Sequence, residues 1–148
     1  MCIRDRPWPP SVNAWKTPFR GRMILSAKGR QYRKLVAATM DGLKLSGEMI
    51  DARLSVSLTL EPPSLRKYDI DNFCKSLFDA LTSCGFWVDD ELVDRLTISK
   101  GNKQKGGNVI VKIEAKLYKI NPRHIFQGSS INRNNQLRAI IELGCKDC

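Results

Sequence analysis

The sequence predicts one small domain of the α/β kind, in an α+β-like arrangement with helices and strands both present. Three observations carry that expectation. Residues 26–40 and 71–83 repeat their apolar side chains at helical spacing, Asp51 to Leu60 alternates apolar and polar residues, and a chain of 148 residues has room for one hydrophobic core rather than two. An apolar content of 42% and a charged content of 27% are ordinary for a globular protein.

Taken in order, Met1-Cys2-Ile3-Arg4-Asp5-Arg6 has no pattern and reads as an upstream scar or an incorrect start. Pro7-Trp8-Pro9-Pro10-Ser11-Val12-Asn13 is too rich in proline for a helix and suits an extended segment. Arg20, Arg22, Lys28, Arg30, Arg33 and Lys34 then place six bases in fifteen residues. From Ser26 to Met40 the spacing of Tyr32, Leu35, Val36 and Thr39 predicts a helix that buries one stripe and leaves Arg30, Arg33 and Lys34 outside. Those bases suit phosphate contacts, or simply a solvated face.

Leu54, Val56, Leu58 and Leu60 alternate with Arg53, Ser55, Ser57 and Thr59, the pattern of a half-buried strand, and Pro62-Pro63 ends it. The loop that follows brings Arg66, Lys67 and Tyr68 to the next helix, expected from Asp71 to Ser83. There Cys74, Leu77, Phe78 and Leu81 form the buried stripe, and Asp71, Lys75 and Asp79 line up on its flank. Gly85 suits the position just past that helix. Leu96 to Ser99 and Val109 to Leu117 read as two strands of a hairpin, joined by a basic loop with Lys100, Lys103 and Lys105. Past Lys119 the pattern fades, and Gln136 to Leu143 offers a short helix at most. Cys145 and Cys148 make a terminal CxxC without the second ligand pair that structural zinc requires.

Five scattered cysteines are no disulfide framework, and reduced thiols with a cytoplasmic location are the default expectation. No run approaches the roughly 18 apolar residues of a membrane span, and no leader pattern is visible. The charge is uneven. Residues 1–50 hold ten bases and three acids, residues 51–100 six and nine, and residues 101–148 nine and three, for a net charge of +10. A basic chain around an acidic centre suits phosphate-backbone binding with chemistry in the middle.

That centre is Tyr68-Asp69-Ile70-Asp71-Asn72-Phe73-Cys74-Lys75, answered by Val88-Asp89-Asp90-Glu91. Residues 69–94 carry seven acids against the single base Lys75. In a basic protein a divalent cation is the natural offset to such repulsion. Phosphodiester hydrolysis requires an activated water and charge neutralisation, which magnesium supplies when two or three carboxylates leave coordination positions open. Asp69 and Asp71 stand two apart, so a turn at the helix start must bring them together, with Asp90 approaching from the neighbouring segment. Lys75, one helical turn on, suits a phosphate oxygen. The competing reading makes Asp71 an N-cap, Lys75 a partner of Asp71 or Asp79, and Asp89-Asp90-Glu91 a solvated turn. Spacing alone favours caps and turns. His124, the one histidine, lies in the unpatterned tail.

At these residues the chain resembles the RusA family of Holliday junction resolvases. The likeness runs through Pro7-Trp8-Pro9-Pro10-Ser11 with Asn13, Leu25-Ser26-Ala27 with Gly29, and Tyr32-Arg33. It continues through Arg66-Lys67-Tyr68-Asp69-Ile70-Asp71-Asn72, Lys75, Phe78-Asp79-Ala80-Leu81-Thr82 and Gly85-Phe86-Trp87-Val88-Asp89-Asp90. The ordered set is far more specific than any one piece, and it reverses the balance in favour of a metal site. The resemblance implies a nuclease domain over residues 7–118, with residues 119–148 an unassigned tail. It implies a small mixed β-sheet flanked by helices, and a homodimer that resolves four-way DNA junctions by paired symmetric nicks with magnesium. Carried over by position, Asp69, Asp71 and Asp90 become the catalytic, metal-binding acids and Lys75 the essential base, with Asp89 adjacent to them. A two-fold dimer matches a junction of approximate two-fold symmetry. Arg20, Arg22, Arg30, Arg33, Arg66, Lys67, Tyr68, Lys100, Lys103 and Lys105 are the DNA-contact candidates, Tyr68 either as a platform for an exposed base or as an ordinary packing residue. The alternatives are a non-catalytic basic DNA-binding protein whose acids are caps and turns, and a nuclease of the same chemistry acting on flaps or forks.

Overall fold

The computed structural model describes residues 8–116, 129–131 and 136–144. The scar reading of Met1–Arg6, most of the polar tail and the terminal CxxC lie outside these. Ser11 precedes a four-residue helix α1 (Val12–Trp15), where the extended expectation ends. Strands β1 (Lys16–Phe19) and β2 (Arg22–Leu25) form an antiparallel ribbon that the sequence reading missed. Its two-residue turn has both Arg20 and Gly21 at positive φ (47° and 75°), the geometry that matches the twist of a hairpin.

Helix α2 (Ala27–Gly42) begins as expected after Ser26, whose Oγ accepts the Gly29 N–H at 3.0 Å. Tyr32, Val36 and Met40 are buried, Leu35 and Thr39 half-buried, and Arg30, Arg33 and Lys34 exposed. Strand β3 (Leu54–Glu61) alternates buried and half-buried residues along its whole length. Helix α3 (Cys74–Ser83) starts three residues later than its spacing predicted, after a turn at residues 70–73. Gly85, at φ 72°, follows its C-cap as expected. A 3₁₀ turn (Asp90–Leu92) leads into β4 (Val93–Lys100), followed by β5 (Asn108–Lys116), β6 (Ser129–Ile131) and β7 (Gln136–Gly144).

The main sheet has the order β4-β3-β5-β7-β6, with β3–β4 parallel and the other pairs antiparallel. It is the mixed sheet expected. Two expectations fall. β4 and β5 are not a hairpin, because β3 lies between them and residues 101–107 cross its end. Gly101 N–H bonds to the Leu60 carbonyl (2.7 Å) and Gln104 N–H to that of Pro62 (2.9 Å), which ties the crossing down. Residues 136–144 form strand β7 rather than a short helix, since pairing with β5 satisfies their backbone groups. One continuous core joins Tyr32, Val36 and Met40 of α2 and Leu77, Phe78 and Leu81 of α3 to the inward residues of β3, β5 and β7. Lys112, Glu114, Ile140 and Glu142 on the opposite side of the sheet stay exposed.

Candidate active site

The acidic centre is assembled by contacts from three parts of the chain. Val12 N–H donates to the Asn72 carbonyl (2.8 Å), and Asn72 N–H reaches back to the Asp69 carbonyl (3.3 Å), closing the turn before α3. Ser76 is fully buried, its hydroxyl 2.7 Å from the Pro10 carbonyl and 3.1 Å from that of Phe73. These bonds lock the Pro10–Val12 segment onto the start of α3. From the other side, Ile50 N–H bonds to the Phe86 carbonyl and Val88 N–H to the Ile50 carbonyl, both 3.1 Å, fixing the approach to Asp89-Asp90. Phe86 and Trp87 are completely buried, while Val88 next to them is 46% exposed.

Lys75 sits between two carboxylates, 2.9 Å from Asp79 Oδ1 and 3.5 Å from Asp90 Oδ2. Asp79 is held from behind by the buried Trp15, whose indole Nε1–H donates to its other oxygen at 2.9 Å. The hydrogen bond to Asp79 raises the Lys75 ammonium above its ordinary value, with the charges of Asp79 and Asp90 adding to it. Asp89 caps the 3₁₀ turn by accepting the Glu91 N–H at 3.1 Å. That hydrogen bond, with a second from Asp90, holds Asp89 below the usual carboxylate range. Asp90 moves the other way: desolvation first, then Asp89 beside it, raises its carboxyl despite Lys75. One proton is thus held more readily on Asp90 than on Asp89.

A second cluster lies around Asp69. A cleft of about 600 Å³ is lined by Lys67, Tyr68, Asp69, Asn72 and Lys100, with Ser11 and Phe73 at its edge. Lys100 Nζ donates to the Tyr68 carbonyl (2.8 Å) and stands 4.5 Å from the centre of its ring. Trp8 and Phe73 meet the same ring edge-on at 6.0 and 5.6 Å. Tyr68, half-buried, is therefore engaged within the chain by Trp8, Phe73 and Lys100.

Asp69 and Asp71 are exposed and Asp90 half-buried. Asp71 caps nothing, since Phe73 occupies the N-cap of α3 and no side chain bonds to it there; that part of the cap-and-turn reading fails, while Asp89 does cap its turn. The expected convergence is also not seen within one chain: among the described residues no group of three acids, histidines or cysteines is placed to hold a metal ion. The hard oxygens of Asp69, Asp71 and Asp90 suit magnesium in kind, but their positions here do not form a cradle for it. Lys75 and Asp90 are brought together; Asp69 belongs to the cleft with Lys100.

Of the basic candidates, Lys67 and Lys100 line the Asp69 cleft, and the rest are spread over several elements. Arg20 and Arg22 are exposed on the β1–β2 ribbon, Arg30 and Arg33 on α2, Arg66 and Lys67 before the turn, and Lys100, Lys103 and Lys105 at the end of β4 and on the crossing. Arg30 also braces the ribbon through the Leu25 carbonyl at 2.8 Å. Sequence reasoning missed Trp15 and Arg53. Arg53 bonds Asp94 Oδ1 through Nε and Glu91 through Nη1, each at 2.9 Å, and thereby clamps the turn that carries Asp90. Its place on the polar side of the β3 pattern was the only signal.

The family profile described as "Endodeoxyribonuclease RusA" matches residues 7–114. The chain is similar to "Crossover junction endodeoxyribonuclease rusA" of Enterobacteria phage 82, 39% identical over 109 residues, covering 72% of this chain and 88% of the relative. A relative of the corresponding name from Escherichia coli matches at the same identity and coverage, and one from Shigella sonnei at 38%. The match spans the ribbon, the Asp69–Lys75 turn and helix, and the Asp89–Asp90 turn, and on that ground this chain belongs to the RusA family.

Proposed function

We propose that this protein is a magnesium-dependent endodeoxyribonuclease that resolves four-way DNA junctions as a homodimer by paired symmetric nicks. The observation that carries the reading is Lys75 held between Asp79 and Asp90 on the helix that follows the exposed Asp69-Asp71 turn, in a chain whose relatives are named crossover junction endodeoxyribonucleases. Asp69, Asp71 and Asp90, apart in the single chain, would be the acids to hold magnesium once their two turns are drawn onto a common ion. Magnesium, when bound, neutralises charge at the scissile phosphate. Lys75 presents a fixed positive charge to a phosphate oxygen, and its partners keep it protonated. Arg20, Arg22, Arg30, Arg33, Arg66, Lys67, Lys100, Lys103 and Lys105 contact the backbone around the crossover, and Tyr68 underlies Lys100. The residues given roles here fall within residues 7–118, on a sheet that β7 extends. The protein acts in the cytoplasm; among the described residues no helix is long and apolar enough to cross a membrane.

The test is a labelled four-way junction incubated with magnesium, with EDTA, and in parallel with linear duplex and flap substrates. Magnesium-dependent, symmetric nicks confined to the junction are expected. Asp69→Asn, Asp71→Asn and Asp90→Asn each abolish cutting while junction binding survives, because each removes negative charge near phosphates without removing a base. Loss of binding in a normally folded dimer, or full cutting by any of the three variants, counts against the assignment.

A further inference from the structure

Beside the Asp69 cleft lies a separate pocket of about 410 Å³, bounded by Trp8, Pro10, Ala14, Tyr32 and Phe73, with Lys28 also at its wall. We propose that this pocket receives an unstacked nucleobase from the DNA strand that enters the Asp69 cleft. The proposal rests on the nuclease reading and deepens it, by naming how a strand is gripped next to the acids.

The lining chemistry fits a base rather than a phosphate. Its walls are aromatic and proline rings, and such surfaces stack on the π-face of any base. Its volume is that of a small-molecule site. The exposed polar side chains of the lining are Lys28 and Gln31.

Position argues for a base of the bound strand. Ser11 and Phe73 line both the pocket and the Asp69 cleft, so the two share a wall. Lys67 and Lys100 in the cleft suit the phosphates, and a base attached to that backbone falls within reach of the wall they share. Trp8 is fixed for the role: its ring lies 5.0 Å from that of Phe73, and a Cβ on Gly107 would come within 3.0 Å of it. The crossover of a four-way junction is where duplex stacking is interrupted and a base is most cheaply displaced.

Junctions carrying 2-aminopurine at single positions around the crossover, titrated with the full-length protein in EDTA, test this. Wild-type protein is expected to change the emission at one or two positions only. Ala14→Leu, which narrows the pocket, returns those positions to the emission of free junction. Trp8→Ala weakens junction binding about tenfold while leaving linear duplex unchanged, the loss of one stacked base. Lys28→Ala, at an exposed position that does not threaten folding, weakens junction binding in the same selective way. The same 2-aminopurine response in wild type and Ala14→Leu, or equal losses on junction and duplex, overturns the pocket. Magnesium-dependent cutting, read separately, then shows whether the nuclease assignment stands without it.

Discussion

Lys75 is useful to a phosphate only if its position and its charge are both fixed, and the residues behind it secure both. Trp15 Nε1–H holds one oxygen of Asp79, and the other holds Lys75 at 2.9 Å. Trp15→Phe keeps an aromatic ring of smaller size and removes the bond. Turnover should fall about tenfold, the order of a hydrogen bond to a charged group, with junction affinity unchanged; equal losses in both would make Trp15 merely structural. Asp79→Asn removes the largest cause of the raised Lys75 ammonium, so the alkaline limb of the rate profile should move to lower pH. On the acid side the group to ionise is Asp90, raised by burial and by Asp89. Asp89→Asn removes the neighbouring charge, lowers the Asp90 carboxyl, and should carry the acid limb to lower pH; an unmoved limb would remove Asp90 from the rate-controlling ionisation. The Lys75–Asp79 pair is legible in the sequence from its i, i+4 spacing. Trp15 and Asp79 stand 64 residues apart, and no local pattern joins them.

At the scale of elements, what the sequence reveals is periodicity, and what it hides is pairing. The alternation in β3 and the stripe in α3 are faces of single elements and can be read locally. Whether β4 pairs with β5 depends on which strand better buries the edge of β3, which no local signal reports. The β1–β2 ribbon was hidden for a different reason: Phe19 and Met23 are exposed, 54% and 62%, so no buried stripe marks it. The junction of α1 with α2 gives a sharp test. A Cβ at Gly29 would lie 2.7 Å from the Trp15 carbonyl oxygen, backbone that cannot rotate away, whereas Gly42 in the same helix has nothing within 4 Å. Alanine at either position gains up to about 1 kcal/mol in helix propensity. Gly42→Ala should therefore be neutral or slightly stabilising. Gly29→Ala should destabilise by about 1–3 kcal/mol as the helix is forced off α1, read from urea midpoints of the two variants side by side. Comparable midpoints would mean that α1 and α2 do not meet as closely as described.

For the whole molecule, the question is where the folded unit ends. The family match stops at residue 114 and β5 at Lys116, and the sequence suggests a boundary near residue 118. Ala139, Ile141 and Leu143 do alternate, but one such run behind a polar stretch is ambiguous between a short helix and a strand. The strand forms because β5, itself nine residues long, would otherwise end the sheet with an open row of backbone groups. β7 covers that row along nine pairs, and buries Ile141 and Leu143 to 1% and 2% exposure. Burial of two such side chains is worth about 3–6 kcal/mol, a large share of the roughly 5–15 kcal/mol that holds a domain together. A chain ended after residue 118 should therefore unfold at a markedly lower urea concentration and aggregate through the bared β5 edge. Ile141→Ala and Leu143→Ala in the full chain should each cost about 2–5 kcal/mol, which separates lost packing from lost strand pairing. If the shortened chain keeps its midpoint and its solubility, residues 136–144 contribute nothing to the fold, and the sheet ends at β5.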